Sequence, residues 1–173
     1  MNGLTIEILN SEHYLQNFDC GNEDLNEFLK ADALNNQNER LSVTRLVFAD
    51  GHLAGFFTIT PDTLHKGRVN ISDKITDYPY EKYPAIKLAR PAVDKAFQHK
   101  GIGRELLISF FATANFLSLK SGGRYLTVDA KSSAYGFYER FGFKPVISKR
   151  MEDIFPMYLD MYHIIDVAEN RAL

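Results

Sequence analysis

Tryptophan is absent, cysteine occurs once, and neither sign of charge dominates: 20 Lys and Arg stand against 22 Asp and Glu in 173 residues. The lone Cys20 excludes an intramolecular disulfide and fits a reducing compartment. A formal net charge of −2 argues against a globally basic nucleic-acid binder, while leaving room for a local basic face. The five histidines (His13, His52, His65, His99, His163) are scattered without metal-ligand spacing, so no metal is expected. No apolar run approaches the ~18 residues of a membrane span. The start, Met1-Asn2-Gly3-Leu4-Thr5-Ile6-Glu7, lacks a charged segment leading into an apolar one. These absences lead to the expectation of a cytoplasmic protein with no membrane attachment.

Two nucleotide signatures are missing as well. Nothing matches Gly-x-x-x-x-Gly-Lys-Ser/Thr, and Gly101-Ile102-Gly103 is followed by Leu106 where a dinucleotide fingerprint needs its third glycine.

What is present reads as one α/β domain over 1–173. Leu4 to Leu9 alternates as a short strand. Asn22 predicts the N-cap of a helix reaching about Asn35, with Leu25, Phe28 and Leu29 at helical spacing. Val43 to Ala49 and Leu53 to Thr60 read as strands joined by the hairpin signal Asp50-Gly51. Residues 61 to 84, with Pro61, Gly67, Pro79 and Pro84, form the least regular segment, and a loop of that length is usually functional or mobile. A strand at 85 to 93, a helix from Gly103 to Lys120, a strand from Tyr125 to Asp129 and a short helix from Ser132 to Arg140 follow. Gly142 caps that helix. Two last strands are expected near Pro145 to Lys149 and Met157 to His163. Alternating strands and helices after a hairpin imply a mixed domain built on one sheet.

The segment Gln98-His99-Lys100-Gly101-Ile102-Gly103-Arg104 is the most informative. A glycine-spaced loop opening a helix leaves backbone N–H groups without intrahelical partners, and these suit a phosphate or pyrophosphate. Lys100 and Arg104 put cations where the helix dipole disfavours them, which a bound anion would explain. The plainer reading is a helix start with solvated charges.

The spacing Gln-x-x-Gly-x-Gly, after Leu88-Ala89-Arg90-Pro91-Ala92-Val93-Asp94, resembles the GCN5-related N-acetyltransferase (GNAT) family. Ser133-Ala134-Tyr135-Gly136-Phe137-Tyr138-Glu139-Arg140-Phe141-Gly142-Phe143 is similar to the family's "A-x-x-F-Y-x-x-x-G-F" element, in the family's order and separation. The match covers about 43–163, with the strand and helix of 4–35 packed on it. It implies a mixed central sheet, splayed at the cofactor site and flanked by helices, and acetyl-CoA as co-substrate. The resemblance assigns the pyrophosphate to Gln98, Lys100, Gly101, Ile102, Gly103 and Arg104. It assigns the pantetheine arm to the backbone of Ala92 and Val93, and a catalytic tyrosine to Tyr138; Pro91 departs from the larger apolar residue usual in relatives, and proline suits a strand that bends or loses a partner. A phenol of pKa about 10 stays protonated at neutral pH and donates to a leaving thiolate whose acid has pKa near 8.5. The plainer reading of Tyr138 is a core aromatic on a face shared with Tyr135 and Phe141.

Phe18-Asp19-Cys20-Gly21-Asn22-Glu23-Asp24-Leu25-Asn26-Glu27-Phe28-Leu29 and the ending Pro156-Met157-Tyr158-Leu159-Asp160-Met161 are similar to the GNAT toxins that acetylate aminoacyl-tRNA. That subgroup implies an aminoacyl-tRNA acceptor, a ribbon-helix-helix antitoxin partner and leaves a homodimer open. The first helix departs from it: Lys30-Ala31-Asp32-Ala33-Leu34 is not Arg-rich. No general base stands out, Asp62 and Glu39 being candidates. A lysine-like amine costs roughly 4–5 kcal/mol to deprotonate at pH 7 and an α-amine only about 1 kcal/mol, so the missing base favours an α-amine. A small amine, a protein N-terminus or lysine, and a non-catalytic acyl-CoA sensor are the rival readings. Cys20 reads as a small apolar residue.

Overall fold

In the computed structural model, which describes residues 3–147 and 153–162, seven strands form one mixed sheet. They are β1 (Leu4–Ile8), β2 (Val43–Ala49), β3 (His52–His65), β4 (Lys82–Val93), β5 (Tyr125–Lys131), β6 (Lys144–Pro145) and β7 (Ile154–Asp160), in the order β1-β2-β3-β4-β5-β7-β6. The strand ends expected at 148–149 and at His163 lie outside the described residues. The chain divides into two compact units, residues 1–60 with 88–113 and residues 61–87 with 114–173.

In the first unit, β1 and β2 pair antiparallel from Leu4↔Ala49 to Ile8↔Arg45, and β2 turns into β3 at Ala49↔His52. The turn residues Asp50 (φ 49°) and Gly51 (φ 80°) are both left-handed, the conformation that matches the twist of a two-residue hairpin. Asn22 caps α1 (Glu23–Glu27), its side chain accepting from the Leu25 amide at 3.1 Å. The predicted single helix is interrupted: a π-turn over Phe28–Asp32 separates α1 from α2 (Ala33–Asn38). The wider turn delivers Phe28, Leu29 and Ala33 to one core, where they pack with Leu9, Phe18, Leu46, Phe56 and Ala92.

In the second unit, β5 and β7 pair antiparallel from Tyr125↔Asp160 to Lys131↔Ile154, and β6 joins β7 at Lys144↔Tyr158. The strand expected to stop at Thr60 continues through Pro61 to His65. Leu64 is buried in that extension, and Asp62 accepts from the Thr127 hydroxyl at 2.6 Å. With β4 beginning at Lys82, the irregular segment shrinks to 66–81 and is firmly tied. Its Lys66 amide donates to the Glu81 carbonyl, the Ile147 amide to Arg68, the Asn70 amide to the Tyr158 hydroxyl and the Ile75 amide to the Tyr83 hydroxyl. Asp73, 5% exposed, accepts from Lys144 at 2.8 Å on both oxygens and from Tyr158 at 2.8 Å. Tyr78, Tyr83, Tyr125 and Tyr158 stack in sequence behind it, ring centres 4.7–5.9 Å apart. This segment is a wall anchored on the buried Val69 and Asp73, with an exposed outer side.

Helix α3 (Ile102–Ser121) corrects one expectation. By length and composition alone it suffices to cross a membrane, contrary to the reading that no apolar run comes near that length. Its buried residues Ile102, Leu106, Leu107, Phe110 and Ala114 recur at helical spacing, with Arg104, Asn115 and Lys120 exposed, which is the pattern of a helix packed on the protein by one face.

Candidate active site

The glycine loop lies in the first unit, between β4 and α3. β4 bends at Arg90, whose φ of +48° breaks the extended run one residue before Pro91. The arginine is held in that unfavourable conformation by its guanidinium, 4.1 Å from the centre of the Phe28 ring. Just beyond, Gly55 of β3 lies so close that a Cβ there would meet the Ala92 carbonyl oxygen at 2.7 Å. Gly55 was not singled out from the sequence; an isolated glycine inside a strand is the signal that marks it.

After Val93 the chain makes a 3-10 turn at Lys95–Phe97, capped by Asp94, whose carboxylate accepts from the Ala96 amide at 2.9 Å. His99 (φ 58°) and Gly101 (φ 88°) then reverse the chain into α3. The Arg104 and Glu105 amides both turn back to the Gly101 carbonyl, at 3.0 and 3.2 Å. The amides of Gly101, Ile102 and Gly103, one turn earlier, have no partner within the helix. A Cβ on Gly101 would meet nothing within 4 Å, so the space over the loop is open and the backbone can be approached closely. These residues fit a pyrophosphate.

The side chains named from the sequence divide into distinct environments. Ile102 is buried, so only its backbone is available, and Ala92 is likewise a core residue. Lys100 is exposed, its ammonium on the Ala96 carbonyl at 2.7 Å, and Arg104 pairs with the neighbouring Glu105 at 2.8 Å. Gln98 turns inward. Its amide donates to the carbonyls of Val93 and Cys20, both at 3.0 Å, so its nitrogen braces the loop.

Tyr138 belongs to the second unit, on α4 (Tyr135–Arg140), which follows β5 through a 3-10 turn at Ser132–Ala134. α4 closes with the Phe143 amide on the Tyr138 carbonyl (3.2 Å) and the Gly142 amide on the Glu139 carbonyl (2.9 Å), Gly142 taking φ 88°. This closure needs a left-handed residue at 142 and brings the Phe143 ring edge-on to Tyr138, centres 5.6 Å apart. Phe137 flanks the other side at 5.2 Å. Tyr138 is 6% exposed, and burial pushes its phenol above the ordinary range. Among the described residues nothing hydrogen-bonds its hydroxyl. Tyr125 and Tyr158, also buried, both have oxygen partners on Asp73.

The second unit also encloses a cavity of about 370 Å³ lined by Asp62, Leu64, His65, Arg68, Lys82, Thr127, Asp129 and Met157 among others. The carboxylates are placed: Asp62 by Thr127, and Asp129 by Lys87 at 2.6 Å. The cavity thus carries carboxylates together with His65, Arg68 and Lys82. β5, which supplies Thr127 and Asp129, leads directly toward α4. Glu39, the other carboxylate considered as a base, is exposed at the end of α2, in the first unit.

Residues 14–161 match the acetyltransferase (GNAT) domain family, and the chain belongs to it. It is an N-acetyltransferase whose acetyl donor is acetyl-CoA. Among solved structures, it is similar to AtaT complexed with acetyl-methionyl-tRNAfMet (26% identity, TM-score 0.85, covering 95% of this chain and 99% of that one). It is similar to AtaTR bound with AcCoA (26%, TM-score 0.80, 96% and 99%). A tyrosine-to-phenylalanine mutant of KacT matches at 25%, TM-score 0.84, over 95% and 98%.

Proposed function

We propose that this enzyme acetylates the α-amine of an aminoacyl-tRNA, with Tyr138 as general acid and acetyl-CoA held by the loop from Gln98 to Arg104 and by the backbone of Ala92 and Val93. The observation that carries the assignment is Tyr138 itself, a buried residue set between the Phe137 and Phe143 rings whose hydroxyl has no partner among the described residues. Among the described residues the enclosed polar atoms left unpartnered are Arg45 Nε and Arg124 Nε, so the Tyr138 hydroxyl is one that a group arriving with the substrate can reach. The amine attacks the thioester carbonyl, the C–S bond breaks, and Tyr138 donates to the departing sulfur.

The cavity supports the acceptor. Asp62 and Asp129 suit an ammonium, and His65, Arg68 and Lys82 suit a phosphate, the two groups that the end of a charged tRNA carries together. Asp62, oriented by Thr127, is the base that takes the amine's proton. The likeness to a complex with acetyl-methionyl-tRNAfMet favours the same class of acceptor. Cytoplasmic action and a ribbon-helix-helix antitoxin partner are in keeping with the toxin resemblance, which leaves a homodimer open, and co-purification with the product of a neighbouring small gene tests the antitoxin.

Charged tRNAs, free amino acids, polyamines and peptides should be offered with labelled acetyl-CoA across pH 6–10. Aminoacyl-tRNA is expected to be acetylated, with kcat/KM levelling off near pH 8 as an α-amine deprotonates. Tyr138 contributes no alkaline fall below about pH 10, because burial raises it. Asp62→Asn is expected to lower kcat/KM for the acceptor by about 10²-fold with KM for acetyl-CoA unchanged. Transfer to peptides or polyamines but not to charged tRNA would replace the acceptor; no transfer to any amine would leave a sensor.

A further inference from the structure

The motif from Phe18 to Asn26 resembles a toxin subgroup, yet it carries no part of the chemistry above. In the first unit it lies against the glycine loop, and almost every polar atom in it is used there. The Asp19 amide donates to Asp94 at 3.0 Å, and the Lys95 amide returns to the Asp19 carbonyl at 2.9 Å. The Lys95 ammonium reaches the Asp19 carboxylate at 2.7 Å. The other Asp19 oxygen accepts from the Gly21 amide (2.8 Å) and from the Asn26 side chain (2.9 Å). Asn26, 6% exposed, accepts in turn from the Cys20 amide at 2.9 Å and from its thiol at 3.2 Å. Gln98 completes the circuit by donating to the Cys20 and Val93 carbonyls.

Gly21 takes a left-handed φ of 83°, which favours glycine, and a Cβ on it would also lie 2.9 Å from the Lys95 side chain. Cys20 therefore acts as a hydrogen-bond donor as well as an apolar filler. A fully satisfied polar network of this kind fixes one geometry more sharply than apolar packing does.

We propose that Asp19–Asn26 is a bracket that sets the loop's grip on the nucleotide end of acetyl-CoA, with Asn26 and Gln98 as positioning residues. Gln98 spans from the loop back to the end of β4, so it fixes how far the start of α3 lies from the backbone of Ala92 and Val93. A loop whose amides point at one spot before the ligand arrives avoids the ordering cost on binding. The inference rests on the reading that this loop takes the pyrophosphate.

Two donors separate positioning from plain stability: acetyl-CoA, and S-acetylpantetheine, which carries the same thioester without pyrophosphate or nucleotide. Gln98→Glu keeps the side chain's shape but removes both donated hydrogen bonds. Asn26→Asp turns its donor to Asp19 into a second carboxylate. Each is expected to raise KM for acetyl-CoA by about 10-fold or more, as a 1.4 kcal/mol change does, and to lower kcat/KM for S-acetylpantetheine by clearly less. Equal losses with both donors, or no loss with either, would overturn the proposal. If either buried variant fails to fold, Lys95→Ala at the exposed rim gives the same donor-selective change in smaller measure. Should the wild type use both donors with equal kcat/KM, and Gly101→Val leave both unaffected, the pyrophosphate reading itself fails, and the bracket with it.

Discussion

Tyr138→Phe is expected to lower kcat by about 10²–10⁴-fold, the usual worth of a positioned general acid, with the affinity for acetyl-CoA and the melting temperature unchanged. The substitution removes one oxygen and keeps the ring that packs between Phe137 and Phe143. That oxygen has no partner among the described residues, so its loss leaves no buried group newly unsatisfied. Burial raises the phenol, which keeps it protonated across the working range. In water this would make donation to a thiolate of pKa near 8.5 uphill. The same dry surroundings disfavour the thiolate's charge as well, so acid and leaving group rise together. Steady-state kinetics with an acetyl-CoA binding isotherm check the prediction; an unchanged kcat would remove Tyr138 as the acid.

Asp73→Ala is expected to destabilise the protein by about 2 kcal/mol, the scale for losing hydrogen bonds to a buried carboxylate whose lysine partner is half-exposed, and so to lower the melting temperature by about 4–8 °C. It removes the acceptor of the Tyr158 hydroxyl and the Lys144 ammonium, and loosens the wall formed by residues 66–81. Amide exchange at Asn70 and Ile75 should accelerate. Burial pushes the Asp73 carboxyl up, but Lys144, Tyr158 and Ser72 together outweigh it and hold it below the usual carboxylate range. A depressed folded value means that the stabilisation is complete above the unfolded pKa of about 3.9 and is lost as pH falls through the folded one. The wild type should therefore lose stability through that acid window more steeply than the variant. Equal acid sensitivity would show that the pair contributes nothing there. Tyr158, pushed up to about 12 by burial, stays a donor throughout.

Local signals were the readable ones. Asp50-Gly51 specifies a hairpin because both residues tolerate left-handed backbone, and Gly142-Phe143 specifies the end of α4 for the same reason. Asn22 caps where its side chain predicts. The extension of β3 through Pro61 was hidden because proline and Asp62 read as a turn, while the force holding them in a strand is distant: burial of Leu64 and the Thr127 hydroxyl. The π-turn was hidden because its apolar spacing also fits an ordinary helix. In the candidate site, the positions of Gln98, Gly101 and Tyr138 could be taken from motif spacing. The partners of Gln98 could not, since Cys20 is 78 residues away. Gly55 was missed because its neighbour, the Ala92 carbonyl, lies in another strand.

The two cores differ in a way that makes each visible separately. Phe18, Phe28 and Phe56 line the first, while Tyr83, Tyr125 and Tyr158 line the second. With no tryptophan in the chain, intrinsic fluorescence comes from nine tyrosines, and all but the exposed Tyr14 belong to the second unit. Unlabelled emission thus reports almost wholly on the unit that carries Tyr138 and the cavity. A tryptophan placed at Phe48 would light up the other, so that loosening of the half with the glycine loop and of the half with Tyr138 can be followed in a single cuvette.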